Sequence, residues 1–178
     1  MSKTVVLGVT GSIAAFRAAD LCSALRKEQG VGVRVVMSDY ALRFVGELTF
    51  TTLSANPVIT DDNVGDYADR PEHLALGDIA DLFVVAPATA NILAKMAHGI
   101  ADDIVSTTYI SVTCPVIVAP AMNTRMYEHV TVQENLKTLR ARGVTVVEPD
   151  DGILACGDYG KGRLAATETL LAAVRESL

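Results

Sequence analysis

Residues 82–87 read Leu-Phe-Val-Val-Ala-Pro and residues 116–120 read Val-Ile-Val-Ala-Pro. Both are unbroken apolar runs, each stopped by a proline and followed by a helical stretch. A strand with one wet face alternates apolar and polar residues. An uninterrupted run marks a strand buried on both faces, as in parallel sheets covered by helices. Outward from this pair the same alternation of strand and helix recurs. Val5–Val9 is a short β-branched run ending at Thr10-Gly11-Ser12, and beyond it Ile13, Phe16, Ala24 and Leu25 suit a helix packed on the sheet. Gly30-Val31-Gly32 breaks that helix, and Val33–Met37 reads as a second strand. Val144–Val147 supplies a fifth strand after a helix over Gln133–Arg142, and Thr167–Ser177 reads as a closing helix. The pattern predicts an α/β fold, a three-layer Rossmann-like (flavodoxin-like) parallel sheet with helices on both faces. Two stretches are expected to be irregular, Ala55–Pro71 and Glu148–Leu164. Long loops of this kind are usually functional.

Composition narrows the class. The chain has 178 residues, 50% of them hydrophobic. One domain over residues 1–178 is expected, long enough to bury a core without disulfides or metal. Fifteen Lys and Arg against 21 Asp and Glu give a net charge of −6, which argues against a nucleic-acid binder. Cys22, Cys114 and Cys156 are odd in number and irregular in spacing, so a reducing compartment is expected and a disulfide framework is not. The N-terminus is too short and interrupted for a signal peptide, and no apolar run reaches about 18 residues. A cytoplasmic protein with no membrane partner is the expectation. No Cys/His pair has zinc-ligand spacing, so no metal is expected.

In such a sheet, ligands bind beyond the carboxyl ends of the strands. Thr10-Gly11-Ser12-Ile13-Ala14-Ala15 places a glycine and a serine at a strand-to-helix turn, where free amides suit a phosphate. A capped glycine turn would read the same way, and so would Ser38 after the second strand. The pattern is neither G-x-G-x-x-G nor a P-loop, so a mononucleotide such as FMN stays open while nucleoside triphosphates and dinucleotides lose ground. Two Ala-Pro-Ala turns ending in asparagine follow successive strands, with Thr89, Ala90 and Asn91 in the first and Ala121 and Asn123 in the second. His73 stands where the long loop enters a helix and is placed to project into the crevice. His98 reads as a helix-end cap and His129 as a surface residue. Cys22 and Cys114 read as core thiols. Cys156 lies in the glycine-rich run Gly152–Leu164, which reads as a flexible flap.

Taken together, these segments resemble the flavin-containing cysteine decarboxylases along nearly the whole chain. The likeness rests on Thr10–Ala15, His73–Asp81, Pro87–Asn91, Ala101-Asp102-Asp103, Pro120–Asn123, Ala155-Cys156-Gly157 and Gly162-Arg163-Leu164. Among family members it is most similar to those that decarboxylate 4′-phosphopantothenoylcysteine in coenzyme A biosynthesis. The resemblance implies an FMN whose phosphate is held by Gly11, Ser12, Ile13 and Ser38, with Thr89, Ala90, Asn91 and Ala121 along the ribityl chain and ring. It implies a base or substrate-binding role for His73, a hold on the carboxylate by Asn123, and an acid role for Cys156. A substrate clamp would include Ala155, Cys156 and Gly157. A phosphate on the substrate would also give Lys161 or Arg163 something to bind, with solvated loop charges as the alternative reading of both. The family's members are homo-oligomers, so a trimer or dodecamer with FMN near the subunit interface is expected. Some relatives carry a ligase domain after the decarboxylase, and this chain reads as the decarboxylase alone.

The chemistry has its own logic. Losing CO₂ from a cysteinyl carboxylate leaves a carbanion with no electron sink. Oxidising CH₂–SH to a thioaldehyde places C=S where it accepts those electrons, and a flavin can take the hydride and later return it. Peptidyl-cysteine decarboxylases, flavin prenyltransferases and a non-enzymatic flavoprotein regulating a phosphatase are the competing readings. The Ala155-Cys156-Gly157 run favours the first reading over the other enzymes, and the lack of a long acidic tail disfavours the regulator.

Overall fold

A computed structural model describes residues 2–62 and 70–178. The parallel sheet contains β1 (Lys3–Val9), β2 (Val31–Met37), β3 (Val58–Ile59), β4 (Leu82–Ala88), β5 (Val116–Pro120) and β6 (Thr145–Val146). Their order is β3-β2-β1-β4-β5-β6, which is the Rossmann order and not that of flavodoxin. Helices α1 (Ala15–Leu25), α2 (Asp39–Leu42), α3 (Glu47–Ser54), α4 (Glu72–Ile79) and α5 (Ala90–His98) fill the first half. Helices α6 (Ile104–Ser111), α7 (Thr124–Tyr127), α8 (Val130–Ala141) and α9 (Thr167–Ser177) fill the second. A separate antiparallel pair, β7 (Asp150–Ile153) and β8 (Tyr159–Arg163), stands apart from the main sheet.

The unbroken apolar runs are explained by two cores, one on each face. Along β1, Val5, Leu7 and Val9 join Leu82 and Val84 of β4 against Leu21 of α1, Phe50 of α3 and Leu170 of α9. Val6, Phe83 and Val85 point the other way, against Leu93 of α5, Val105 of α6 and Leu136 of α8. Successive side chains on a strand face opposite sides, so a strand between two helical layers is apolar at every position.

Three features depart from the sequence reading. Helix α1 begins at Ala15, so Ala15, Ala18, Leu21, Cys22 and Leu25 share its buried stripe. Ile13 and Phe16 fall off that stripe and are 56% and 58% exposed, rather than packed on the sheet. Within Ala55–Pro71, strand β3 pairs with β2, and Asn56 ties it there by donating from Nδ2 to the Val33 carbonyl at 3.0 Å. The rest of that stretch lies partly outside the described residues. Glu148–Leu164 is a hairpin, not an irregular loop.

Helix ends are capped as their residues suggest. Thr89 accepts the Ile92 amide at the start of α5, and Gly99 ends that helix in the left-handed region at φ 72°. His98 pairs with the buried Asn135 at 3.2 Å, and His129 caps α8. Asp103 caps α6 through the Ser106 amide at 2.8 Å and meets Lys95 at 2.5 Å. Burial raises the Asp103 carboxyl, but Lys95 and Ser106 outweigh it and hold the group below the ordinary carboxylate range.

Two stability outcomes follow. Leu7→Ala removes a fully buried side chain and should cost about 2–5 kcal/mol in denaturant unfolding, whereas Leu48→Ala, at a residue 77% exposed, should stay within about 0.5 kcal/mol. Asp103→Ala should cost about 1–2 kcal/mol at pH 7. The folded Asp103 has the lower pKa, so its contribution is complete above the unfolded carboxylate pKa and is lost as pH falls through the folded value. The difference between wild type and Asp103→Ala should therefore shrink at strongly acidic pH.

Candidate active site

The loops after β1, β2, β4 and β5 meet at the carboxyl edge of the sheet, around the switch point between β1 and β4. Two cavities open there, about 370 Å³ and about 640 Å³, and both are lined by Ser12, Ala121 and Met122. These shared residues set the two cavities side by side.

The smaller cavity is built from polar, uncharged donors. Gly11, Ser12, Ser38, Thr89, Ala90 and Asn91 all line it. The amides of Gly11, Ala90 and Asn91 donate no hydrogen bond among the described residues. Ser38 begins α2 but its hydroxyl does not cap it. Ser12 Oγ accepts the Ala14 amide at 3.2 Å and keeps its own hydrogen free. Asp103 is the carboxylate on this wall, and Lys95 neutralises it. Free amides and hydroxyls beside a helix start are the donor set a phosphate monoester needs.

Two residues to which the sequence reading gives no role shape this end, Thr10 of the Thr10–Ala15 turn and Tyr40. Thr10 is 3% exposed, and its Oγ1 donates to the Pro87 carbonyl at 2.7 Å and accepts the Thr89 amide at 3.2 Å. It thereby joins the β1 and β4 loops across the switch point. Tyr40 lies against Gly11, where an added Cβ would stand 2.4 Å from Tyr40 Cδ1 and 2.7 Å from its Cβ. The Tyr40 ring is flanked by Phe44 edge-on at 5.8 Å and by Arg43 at 5.1 Å. Only a glycine leaves this aromatic group in place. Thr10 stands in a quoted turn, but its bridging role depends on contacts across the fold, and no motif announces Tyr40.

The larger cavity holds Asn123 and Cys156 together. Asn123 caps α7 by accepting the Arg125 amide at 2.9 Å through Oδ1, which leaves Nδ2 to donate to Cys156 Sγ at 3.2 Å. The thiol in turn faces Asp158 Oδ2 at 3.5 Å. Ala155 lines the same cavity, as does Ile13, which opens into this space and not into the smaller one.

Cys156 arrives here on a formed hairpin. The Leu154 carbonyl accepts the Gly157 amide at 2.9 Å, and the Leu154 amide donates to the Asp158 carbonyl at 2.8 Å. Gly157 sits at φ 90°, so Ala155-Cys156-Gly157 is a three-residue hairpin loop with glycine at the left-handed position. The remaining glycines serve close approach rather than flexibility. A Cβ on Gly160 would stand 2.4 Å from Thr124 Oγ1, and one on Gly162 would stand 2.1 Å from the Met122 carbonyl oxygen. Gly162, at φ 153°, accepts the Met122 amide at 2.9 Å. Strand β8 is thus laid directly on the Met122–Thr124 turn.

Two expected site residues are elsewhere. Lys161 lines neither cavity; its Nζ pairs with Glu148 at 2.8 Å and lies 5.5 Å from the Tyr127 ring centre. Asp150 pairs with Arg163 and Asp151 with Lys161, so a bulge at Gly162 breaks the two-residue alternation and separates Lys161 from Arg163. Arg163 does line the larger cavity. His73, the second residue of α4, lines neither cavity of its own chain. Gly157 acts through the hairpin turn. Of the other thiols, burial pushes Cys22 up to about 11 and also raises half-buried Cys114.

The family model for Flavoprotein matches residues 1–178. The chain belongs to the Flavoprotein family. Membership makes a flavin the cofactor, and the free donors of the smaller cavity fit the phosphate end of such a molecule. The chain is 43% identical over its whole length to a probable phosphopantothenoylcysteine decarboxylase of Streptococcus mutans serotype c, and covers all of that protein. It is 44% identical over 170 residues to the coenzyme A biosynthesis bifunctional protein CoaBC of Bacillus subtilis (strain 168), of which it covers 42%. Among solved structures it is similar to a cysteine-to-serine mutant of a PPC decarboxylase complexed with pantothenoylaminoethenethiol, with a TM-score of 0.91, 31% identity, and 99% and 98% of the two chains covered. It is also similar to the FMN-dependent cysteine decarboxylase SpaF, with a TM-score of 0.82, 35% identity and 97% of each chain covered. Both of these structures thus share the architecture over nearly the whole chain. Among the described residues no helix is long and apolar enough to cross a membrane.

Gly11→Ala should weaken flavin binding roughly tenfold, equivalent to about 1.4 kcal/mol of overpacking against Tyr40, as read by fluorescence titration. Limited iodoacetamide treatment followed by peptide mapping should modify exposed Cys156 first and Cys22 only on unfolding.

Proposed function

We propose that the chain is an FMN-dependent decarboxylase of 4′-phosphopantothenoylcysteine, yielding 4′-phosphopantetheine for coenzyme A synthesis, and that it works as a homo-oligomer, a trimer or a dodecamer. The observation that carries the reading is the 3.2 Å contact between Asn123 and Cys156, at one end of a cleft whose other end offers free amides and hydroxyls. Gly11, Ser12, Ser38, Ala90 and Asn91 hold the FMN phosphate end, Thr89 fixes the loop beneath it, and Ala121 and Ile13 line the space for the ring. A flavin held there would supply a reversible hydride acceptor for the carbon bearing the substrate's thiol, so that the C=S group formed serves as the electron sink when CO₂ leaves.

The protein's own residues orient and protonate. Asn123 Nδ2 is the donor that meets the substrate carboxylate, and its Oδ1 is fixed by the Arg125 amide, which sets its direction. Ala155 and Gly157 hold the hairpin tip over the bound thiol. Carbon dioxide loss from the thioaldehyde leaves an ene-thiolate, S⁻–CH=CH–NHR. An ethenethiol of this kind is what the related cysteine-to-serine structure holds. Cys156 delivers the proton to the carbon that lost CO₂, which gives the thioaldehyde S=CH–CH₂–NHR. Hydride returned to its C=S carbon would give the thiolate ⁻S–CH₂–CH₂–NHR, which takes a further proton from water to become the thiol product.

His73 lies outside the cavities of its own chain, so in an oligomer it acts on a neighbouring copy's cleft, as base for thiol oxidation or as a substrate contact. The likeness to SpaF, an FMN-dependent cysteine decarboxylase, keeps a different cysteine-bearing substrate, such as a peptidyl cysteine, as the second reading.

Purified protein should carry a yellow flavin and release CO₂ from 4′-phosphopantothenoylcysteine. Cys156→Ser should still release CO₂ while reduced product falls by about 10²–10⁴-fold and the ene-thiol accumulates, followed by mass spectrometry. Full formation of 4′-phosphopantetheine by that variant would refute the acid role. Co-refolded His73→Asn and Cys156→Ser chains should regain activity that neither has alone, because a mixed oligomer holds some clefts with both groups intact.

A further inference from the structure

Two arginines line the larger cavity, Arg17 from α1 and Arg163 from β8. Neither has an ion-pair partner among the described residues, in a chain whose net charge is −6. No carboxylate lines that cavity. The carboxylate nearest in the ladder is Asp150, opposite Arg163, and its Oδ2 is engaged by the Ala166 amide at 3.0 Å. Arg17 Nη1 donates to the Leu164 carbonyl at 2.9 Å, which anchors its guanidinium beside Arg163 in the chain and leaves its other N–H groups available. Arg163 crosses over Gly152, where an added Cβ would stand 3.2 Å from Nη1. The glycine makes room for the guanidinium.

We infer that Arg17 and Arg163 form a phosphomonoester clamp that selects the phosphorylated substrate. The inference rests on the decarboxylase reading above and names the part of the cleft that recognises the end of the substrate remote from its cysteine. Planar guanidinium groups bind phosphate oxygens through paired N–H donors, which makes two of them a site for a dianion. The substrate's carboxylate is the other anion available, and chemistry excludes it from this clamp. Two guanidiniums would stabilise the carboxylate charge that must be dispersed as CO₂ departs, raising the barrier instead of lowering it. The FMN phosphate has its own neutral donors at the other end of the cleft. Lys161, committed to Glu148, takes no part. The clamp also explains how this cleft differs from one built for a peptide, which brings no phosphate.

Calorimetry on the flavin-loaded protein decides the matter with three titrants: 4′-phosphopantetheine, pantetheine and inorganic phosphate. Wild type should bind 4′-phosphopantetheine at least about tenfold more tightly than pantetheine, and inorganic phosphate should compete with the former alone. Arg17→Gln and Arg163→Gln should each reduce that ratio about tenfold, and Arg17→Lys should restore part of it. The ratio of kcat/KM for phosphorylated over unphosphorylated substrate should fall in parallel. Equal wild-type affinities for the two pantetheines, or a ratio unmoved by both substitutions, would overturn the clamp. A protein that binds 4′-phosphopantetheine selectively but decarboxylates neither cysteine compound would keep the clamp and sink the decarboxylase reading.

Discussion

The position of Cys156 depends on Gly162 having no side chain. Its carbonyl accepts the Met122 amide at 2.9 Å, and any Cβ there would overlap the Met122 carbonyl oxygen at 2.1 Å. With strand β8 pressed onto the Met122–Thr124 turn, the hairpin tip hangs over Asn123. The Asn123–Cys156 contact then follows from backbone geometry, not from a mobile chain finding its partner. The same glycine is the bulge that turns Arg163 into the cleft and Lys161 away from it. One missing methyl group thus positions the thiol over Asn123 and aims a guanidinium.

The rest of the cleft is arranged by the Rossmann order. Strands β1 and β4 are neighbours whose crossovers run to opposite sides, so the loops after them diverge and leave a crevice. Thr10 pins the two loops at a fixed separation from below, and Tyr40 walls the crevice from the side by resting on Gly11. The two ends differ in their donors. Neutral amides and hydroxyls line one end, and unpaired guanidiniums stand at the other. On the proposed reading, that difference keeps the site for the substrate phosphate, in the larger cavity, apart from the site for the cofactor phosphate, in the smaller one.

The sheet was legible because burial on both faces leaves a direct mark on composition. Leu82–Ala86 and Val116–Ala119 have nowhere polar to point, and their prolines show where the loops begin. Strand β3 left no such mark, since two residues after Pro57 carry no period. Ile13 and Phe16 misled for a related reason. Their spacing is helical, but the helix starts at Ala15, and a shift in start rotates the whole stripe. The candidate residues in the turns were readable as Gly11, Ser12, Ser38, Thr89, Asn91 and Asn123 because loop position alone brings them to the carboxyl edge. Cys156 was readable as unusual, but the glycines around it suggested mobility. Their real cause, contact with Met122 and Thr124, involves residues some forty positions away and has no local signal. Arg17, Tyr40 and the bridging role of Thr10 were illegible on the same ground. His73 was expected to reach the crevice, and the fold of one chain does not bring it there.

Gly162→Ala is the most direct test of this account, because it leaves every proposed chemical group in place and changes only the backbone approach. The substituted protein should fold, keep its flavin and release CO₂ from 4′-phosphopantothenoylcysteine, while the ene-thiol accumulates as it should with Cys156→Ser. Undiminished formation of 4′-phosphopantetheine by Gly162→Ala would contradict the claim that this contact places the acid.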